Sequence, residues 1–327
     1  MTLTGFVLLY IVATIAIGVI AATRVKNTSD FALAGRSLPL PMVITATFAT
    51  WFGSETILGL PGRFIESGIA GVIEEPFGSG MALILVGTFF AHKLYKQNIL
   101  TLGDYYRDRY GRSVELLCSV AIVISYLGWV GAQVTALGLV INLITEGAVS
   151  MTTGMVIGAA VVLAYTMVGG MWSVAMTDFV QMIVIVVGLV AILWFATDLA
   201  GGMDKVVDYA RGRDLFHAFP EPTTTGWLFW ISAAMTMMIG SIPQQDVFQR
   251  VMSAKNLPTA VAGPILGGSF YILFAFVPMF IVVAAILVMP DAAEKMLSED
   301  PQQLLPTLVR DYMPMWLRVV FFGAVLS

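Results

Sequence analysis

The sequence contains little cysteine, histidine or charge, and each shortage excludes a class of site or partner. The single cysteine, Cys118, rules out an intrachain disulfide. The two histidines, His92 and His217, stand alone, so no His/Cys metal cluster and no catalytic dyad can be assembled. A net charge of −4 does not indicate the basic surface that binds nucleic acid. We therefore expect neither an enzyme nor an organic cofactor.

Charged residues make up only 12% of the 327 residues, whereas hydrophobic residues make up 58% and the mean hydropathy is +0.87. A soluble domain has about 45–50% apolar and about 25% charged residues. Uncharged windows of the length needed to cross a bilayer, about 20 residues, recur along the chain. The sequence therefore predicts an all-α polytopic protein that lies in a lipid bilayer.

The uncharged windows predict eight complete spans and part of a ninth that opens near Trp316. The complete spans are predicted at about 3–22, 39–61, 69–91, 115–144, 150–169, 173–197, 225–245 and 260–288. Gly169-Gly170 is the expected turn between the fifth and sixth spans. Between spans, residues 291–313 are expected to form an amphipathic surface helix. Residues 202–216 fit either such a helix or a solvated linker.

Basic residues are concentrated in two short loops, which predicts the orientation of the chain. Eight of the 17 basic residues lie there: Arg24, Lys26, Arg36, Lys93, Lys96, Arg107, Arg109 and Arg112. Short cytoplasmic loops carry an excess of Lys and Arg. We therefore expect a multi-pass protein of the cell's inner (plasma) membrane with its N-terminus outside.

Two predicted spans contain backbone breakers near their middle. The second span has Gly53-Ser54 followed by GLPG, and the seventh has GSIPQQ, with Ser241 and Gln244 at the break. Non-helical backbone is tolerated in a membrane only where it lines protein or a water-filled cavity. Paired breaks are the best sequence indication of the site in an inverted-repeat transporter. We expect one transmembrane domain over 1–327, with a first five-helix repeat at 39–197 and a second beginning at 225–327.

Several polar residues within or beside these spans are candidates for contact with a solute. Glu55 is expected to line the site, the alternatives being an interfacial position or a bond to Thr56 or a backbone amide. Glu74 and Glu75 fit either a solvated helix start or a vestibule. Gln133 fits interhelical hydrogen bonding or solute contact. The predicted solute-binding set is Trp51, Gly53, Glu55, Thr56, Glu75, Gln133, Ser241 and Gln244.

Asp178 stands between otherwise uncharged runs, about two turns past the turn at Gly169-Gly170. Ionisable residues within spans mark ion pathways or pair with one another. We expect it to serve a cation pathway, with a structural partnership to the cytoplasmic Arg cluster as the alternative.

Five segments resemble the sodium:solute symporter family, whose members transport proline, sugars, choline, pantothenate or sialic acid. They are FALAGRSLP, the GLPG that ends the second span, GGMWSVAMTDFVQ, FQRVMSAKN and LLPTLVRDYMPMWLRVVFFGAVLS. The resemblance covers essentially the whole chain. It implies a LeuT-type inverted-repeat fold with an extra N-terminal helix.

The resemblance also implies Na⁺ as the coupling ion. The carbonyls of Ala49 and Phe52 fall on the family's second-span sodium ligands, and Asp178 matches an aspartate near the cytoplasmic sodium exit. Glu55 matches a position that some sugar-transporting members use for substrate. The family's hydroxyl ligands belong to an Ala-x-x-Ser-Ser/Thr element that should begin just after Ser327. We therefore expect the chain to be a C-terminally truncated piece of a longer polypeptide.

The function implied is sodium-coupled secondary active symport of a small organic solute into the cytoplasm. The carboxylates Glu55, Glu74 and Glu75, with Trp51 nearby, favour an amino acid or a quaternary amine over a sugar or a carboxylate. The alternative is a symporter-like sensor domain of a longer signalling protein, which a histidine-kinase module after residue 327 would indicate. The oligomeric state is left open.

One prediction concerns the 327-residue chain expressed by itself. Two carbonyls alone do not hold Na⁺ against water, so we expect no sodium-driven uptake into proteoliposomes. The measurement compares accumulation of labelled amino acids and choline under inward sodium and potassium gradients. Accumulation that depends on sodium would contradict the expectation.

Overall fold

The computed structural model describes residues 3–326, apart from the side chain of Tyr165. In these residues the regular structure is helical, with one isolated parallel bridge between Leu38 and Ala254. The α-helices are α1 Leu3–Ala22, α2 Thr28–Leu33, α3 Leu40–Trp51, α4 Leu60–Ser67, α5 Ser79–Leu85, α6 Ala91–Tyr95, α7 Leu102–Tyr110, α8 Arg112–Ile144, α9 Met151–Leu199, α10 Met203–Gly212, α11 Thr224–Gly240, α12 Gln245–Met252, α13 Leu257–Phe274, α14 Phe276–Val288, α15 Pro290–Glu299, α16 Leu304–Tyr312 and α17 Met315–Val325.

The lengths of these helices agree with a multi-pass membrane protein. Among residues 3–326, five helical stretches are long and apolar enough to cross a bilayer: 3–22, 69–95, 112–144, 166–199 and 257–288. A sixth is counted if α11 and α12, which are bent by 46°, form one broken span. The remaining predicted spans contain the shorter apolar helices α3, Met151–Ala164 and α17. Ser327, the last residue of the predicted ninth span, lies outside the described residues.

The expected turn after the fifth span is present at Gly170. Its backbone has φ 49° and ψ −140°, which divides α9 into two helical parts. A Cβ at this position would also lie only 2.3 Å from the carbonyl oxygen of Phe31. Both the left-handed conformation and the close approach therefore require glycine.

The segments between spans are helical as well. Residues 202–216 contain α10, which decides in favour of the surface helix over the linker. Residues 291–313 contain most of α15, a short 3₁₀ turn at Pro301–Gln303 and α16, so the expected single helix is divided in two. The division falls at Asp300, whose extended backbone ends α15.

α13 packs against both α3 and α5. Small residues permit the close approach that membrane helices need for van der Waals packing. A Cβ on Gly268 would lie 2.6 Å from the carbonyl oxygen of Gly80 on α5, and a Cβ on Gly263 would lie 2.4 Å from Val43 on α3. Glycine therefore sets the distance from α13 to α5 of the third span at Gly268, and to α3 of the broken second span at Gly263.

The contact at Gly268 yields a stability prediction. Gly268→Ala forces α13 and α5 apart and should lower the free energy of unfolding by about 1–3 kcal/mol, as overpacking does. Gly128→Ala on α8 is the matched control, because nothing lies within 4 Å of its added Cβ. That control should be neutral or more stable by up to about 1 kcal/mol. Equal unfolding curves for the two variants in detergent would contradict this packing account.

Candidate functional site

The second span is broken immediately after α3. Phe52, at the end of α3, leaves helical geometry with φ −80° and ψ 75°. The N–H of Gly53 donates to the carbonyl of Trp51 at 2.9 Å, where a continuing helix would have used the carbonyl of Ala49. In the described residues, neither Ala49 nor Phe52 has a hydrogen bond to its carbonyl oxygen. The break predicted at Gly53-Ser54 is confirmed.

After the break the chain returns to a helix through a wide π turn at Glu55–Gly59, followed by α4. The N–H of Leu60 donates to the carbonyl of Glu55, five residues earlier. Pro61 has no N–H to offer, so it cannot close the ordinary bond to Ile57. The sequence GLPG therefore explains why helical geometry is irregular on this side of the break.

A polar cluster lies against the break, inside the helical bundle. The hydroxyl of Thr56 lies 3.1 Å from the carbonyl of Trp51 and 3.0 Å from both Glu75 Oε1 and the Tyr271 hydroxyl. The Tyr271 hydroxyl also donates to Glu75 Oε1. Thr56 and Tyr271 are fully buried. The solvated helix start considered for Glu75 is thus wrong: the third span begins at Ile69, and this carboxylate lies within the bundle.

Glu55 forms an ion pair with Arg63, a partner that was not among those predicted for it from the sequence. Its Oε1 accepts a hydrogen bond from Arg63 at 3.0 Å, in an ion pair whose side chains are 34% and 50% exposed. Thr56 bonds to Glu75 and not to Glu55. Contact between Glu55 and a solute stays a prediction.

Gln133 connects α8 to the break. Its Oε1 accepts a hydrogen bond from the Ser54 hydroxyl at 2.6 Å, and a Cβ on Gly53 would lie 3.3 Å from the same oxygen. The interhelical hydrogen bond considered for Gln133 is confirmed, while solute contact stays a prediction. Trp51, at the end of α3, is 9% exposed, and its indole nitrogen is buried without a hydrogen-bond partner in the described structure.

The second break lies between α11 and α12. Ser241 is buried there, and the N–H of Gln244 donates to its carbonyl at 3.3 Å. Among the described residues, no hydrogen bond joins Ser241 or Gln244 to the first break. The neighbouring Asp246 accepts a hydrogen bond from Tyr126 of α8 at 2.7 Å. Since Tyr126 lies seven residues before Gln133, one face of α8 contacts both broken spans.

Asp178 lies on the side of α9 that faces α3. Residues at intervals of three to four share a helix face, which places Asp178 in line with Met182 and Val186. These two line an apolar cavity of about 260 Å³ together with Ile44 and Phe48 of α3. In the described residues, no hydrogen bond or ion pair joins Asp178 to Ala49 or Phe52.

The alternative of a structural pairing between Asp178 and the Arg cluster stays a prediction as well. In the described residues its Oδ2 is buried without a hydrogen-bond partner, and no ion pair reaches it. Arg250 of α12 has an electrostatic interaction with the Asp178 carboxylate, but no hydrogen bond joins the two side chains in the described residues. A role for Asp178 in a sodium pathway stays a prediction.

The resemblance implies sodium at this site, and the break offers oxygen donors of the kind that Na⁺ takes; sodium binding to Ala49 and Phe52 stays a prediction. Unwound carbonyls coordinate Na⁺ in transporters with broken helices. The carbonyls of Ala49 and Phe52 have this character, because both have lost their helical partners. Two oxygens are fewer than a hard cation requires, so these carbonyls would form only part of a site.

Four residues of this region were not predicted from the sequence. Tyr271 stands in a long uncharged window where nothing marks it as polar, and Tyr126 is equally inconspicuous on α8. Asp246 follows the second break, but the sequence does not indicate its partner Tyr126 on another helix. The pairing of Arg63 with Glu55 could be predicted from the sequence, because Arg63 lies eight residues, or about two helical turns, after Glu55.

A comparison with protein-family models matches residues 31–327 to the sodium:solute symporter family. The chain belongs to this family. The high affinity choline transporter 1 of Homo sapiens is 27% identical over 340 residues, covering 98% of this chain and 57% of that protein. The Caenorhabditis elegans high-affinity choline transporter 1 is 28% identical, covering 91% and 52%. The Danio rerio sodium/glucose cotransporter 4 is 28% identical, covering 85% and 45%.

A solved structure supports the fold of this symporter-family chain. It is described as the substrate-bound outward-open state of a Na⁺-coupled sialic acid symporter. The two superpose with a TM-score of 0.83 at 18% identity, over 99% of this chain and 68% of that one. The LeuT-type fold expected from the sequence is thus confirmed. The chain spans about half the length of the relatives that it matches.

The polar cluster at the break yields a prediction. Tyr271→Phe removes the hydroxyl that bonds both Thr56 and Glu75, and should lower the free energy of unfolding by about 1–3 kcal/mol. Tyr312→Phe is the control, since Tyr312 is 45% exposed on α16 and should change stability little. Denaturant unfolding of the purified chain measures both. A Tyr271→Phe variant as stable as wild type, or no less stable than Tyr312→Phe, would contradict the role given to the cluster.

Proposed function

We propose that this chain is the transport-site portion of a sodium-coupled symporter for a small organic solute. Residues 39–197 form the first five-helix repeat and 225–327 begin the second. The protein lies in the cell's inner (plasma) membrane with its N-terminus outside, and it carries the solute into the cytoplasm. The observation that carries the proposal is the break at Phe52–Ser54, which frees two carbonyls beside a buried polar cluster.

Sodium supplies the driving force in this mechanism. The carbonyls of Ala49 and Phe52 offer oxygen ligands only while the backbone keeps its broken geometry. Sodium therefore stabilises the conformation in which the break is fully formed, by mass action on that state. Asp178 lies on the side of α9 that faces α3. We propose that it lies on the path by which sodium leaves toward the cytoplasm.

The solute that fits the break best is a cation. Glu55 and Glu75 both lie beside it, and Trp51 provides an aromatic ring there. Carboxylates attract a cation, and the face of an indole binds quaternary ammonium groups. Several relatives of this chain are choline transporters. We therefore propose a quaternary amine as the solute, with a zwitterionic amino acid as the next candidate.

Glu75→Gln and Glu55→Gln test this proposal in the native polypeptide. Each removes a negative charge beside the break, and each should raise the half-saturating concentration of choline roughly tenfold, equivalent to about 1.4 kcal/mol. Sodium-dependent choline uptake into proteoliposomes is the measurement. Glu66→Gln, an exposed carboxylate on α4, is the matched control and should leave uptake unchanged.

The same experiment tests two assignments separately: the residues that bind the solute, and the chemical class of the solute. If both variants keep the wild-type affinity and sodium dependence, the assignment of Glu55 and Glu75 to the solute fails. If wild type shows no response to choline but accumulates a neutral sugar with sodium, the symport proposal stands and the quaternary-amine proposal is contradicted.

A further inference from the structure

Glu55, Gly59 and Arg63 form a line along one face of the helical stretch after the first break. They are spaced four residues apart, so each lies about one turn from the next. The guanidinium of Arg63 reaches back two turns to Glu55 Oε1, at 3.0 Å. A Cβ on Gly59 would lie 3.0–3.1 Å from the carboxylate of Glu55. The bare backbone at Gly59 thus leaves room for the carboxylate to lie along the helix and meet Arg63.

This ion pair is electrostatically linked to the polar cluster in the bundle. The carboxyl group of Glu75 has electrostatic interactions with both members of the pair: Glu55 repels its negative charge and Arg63 attracts it. With both carboxyl groups ionised, the two carboxylates and one guanidinium carry a formal charge of −1, and the group then attracts a cation. With Arg63 in place, however, the more accessible carboxylate already has a positive partner.

The ion pair is weak enough to exchange. The side chains of Arg63 and Glu55 are 50% and 34% exposed, and a solvated pair of this kind adds little to stability. Either partner can therefore be released to water without leaving a buried unpaired charge. Thr56, Glu75 and Tyr271 differ in this respect, because their hydroxyls and carboxylate bind one another inside the bundle.

We propose that Arg63 is a resident cation that competes with the cationic solute for Glu55, and is thereby a specificity-determining residue. The inference rests on the proposed function. When no solute is bound, the guanidinium of Arg63 neutralises Glu55, because the two opposite charges lie 3.0 Å apart. A solute with a fixed positive charge takes its place, and Arg63 turns outward to solvent. A neutral solute of the same shape gains nothing from this exchange.

The test uses the native polypeptide in proteoliposomes, with choline and its neutral carbon isostere 3,3-dimethyl-1-butanol as probes. Arg63→Gln removes the competitor and should lower the half-saturating concentration of choline about two- to fivefold, the range expected for a solvated ion pair. Arg63→Lys keeps the charge and should stay within about twofold of wild type. Inhibition by the neutral isostere should be the same in all three proteins.

Arg107→Gln is the matched control, because Arg107 also pairs with carboxylates at 51% exposure but lies on α7, away from the break. It should leave the half-saturating choline concentration unchanged. Choline binding by Arg63→Gln where wild type binds none would also support competition. An unchanged or raised half-saturating concentration in Arg63→Gln overturns the inference while the proposed function stands. If neither protein binds choline, the inference and the quaternary-amine proposal both fail.

Discussion

The structure depends on one constraint: backbone groups that leave a helix within apolar surroundings need polar partners. At the first break this need is met unevenly. The carbonyl of Trp51 receives both the N–H of Gly53 and the hydroxyl of Thr56, whereas the carbonyls of Ala49 and Phe52 receive neither. The satisfied carbonyl holds the turn at the break. The other two carbonyls have no hydrogen-bond partner in the described residues, which is the basis of the sodium site proposed above.

Packing of the surrounding helices maintains this arrangement. Glycine contacts draw α13 close to α3 and α5, which brings Tyr271 to Thr56 and Glu75. α8 contacts both breaks, through Gln133 at the first and Tyr126 at the second. Helices that carry no break therefore hold the two broken spans, so that a change at either break alters contacts with a common neighbour.

The sequence was sufficient for most of the fold and for the position of the breaks, because span length, glycine and proline act locally. Gly170 and Gly53-Ser54 were placed by such local signals. The partners across helices could not be found in this way. Tyr271 lies 196 residues from Glu75, and no periodicity relates the two. Arg63 differs from these partners, because it lies about two turns from Glu55 on the same helical stretch and is therefore within reach of a local sequence signal.

The central claim is that sodium binds where the break at Phe52–Ser54 frees the carbonyls of Ala49 and Phe52. Hydrogen–deuterium exchange of the native polypeptide in nanodiscs tests it most directly, with sodium compared against potassium at equal ionic strength. The account predicts slower exchange in sodium for amides between Phe48 and Ile57, with little change in α10 on the surface. Equal exchange of the broken segment in the two salts would contradict the account.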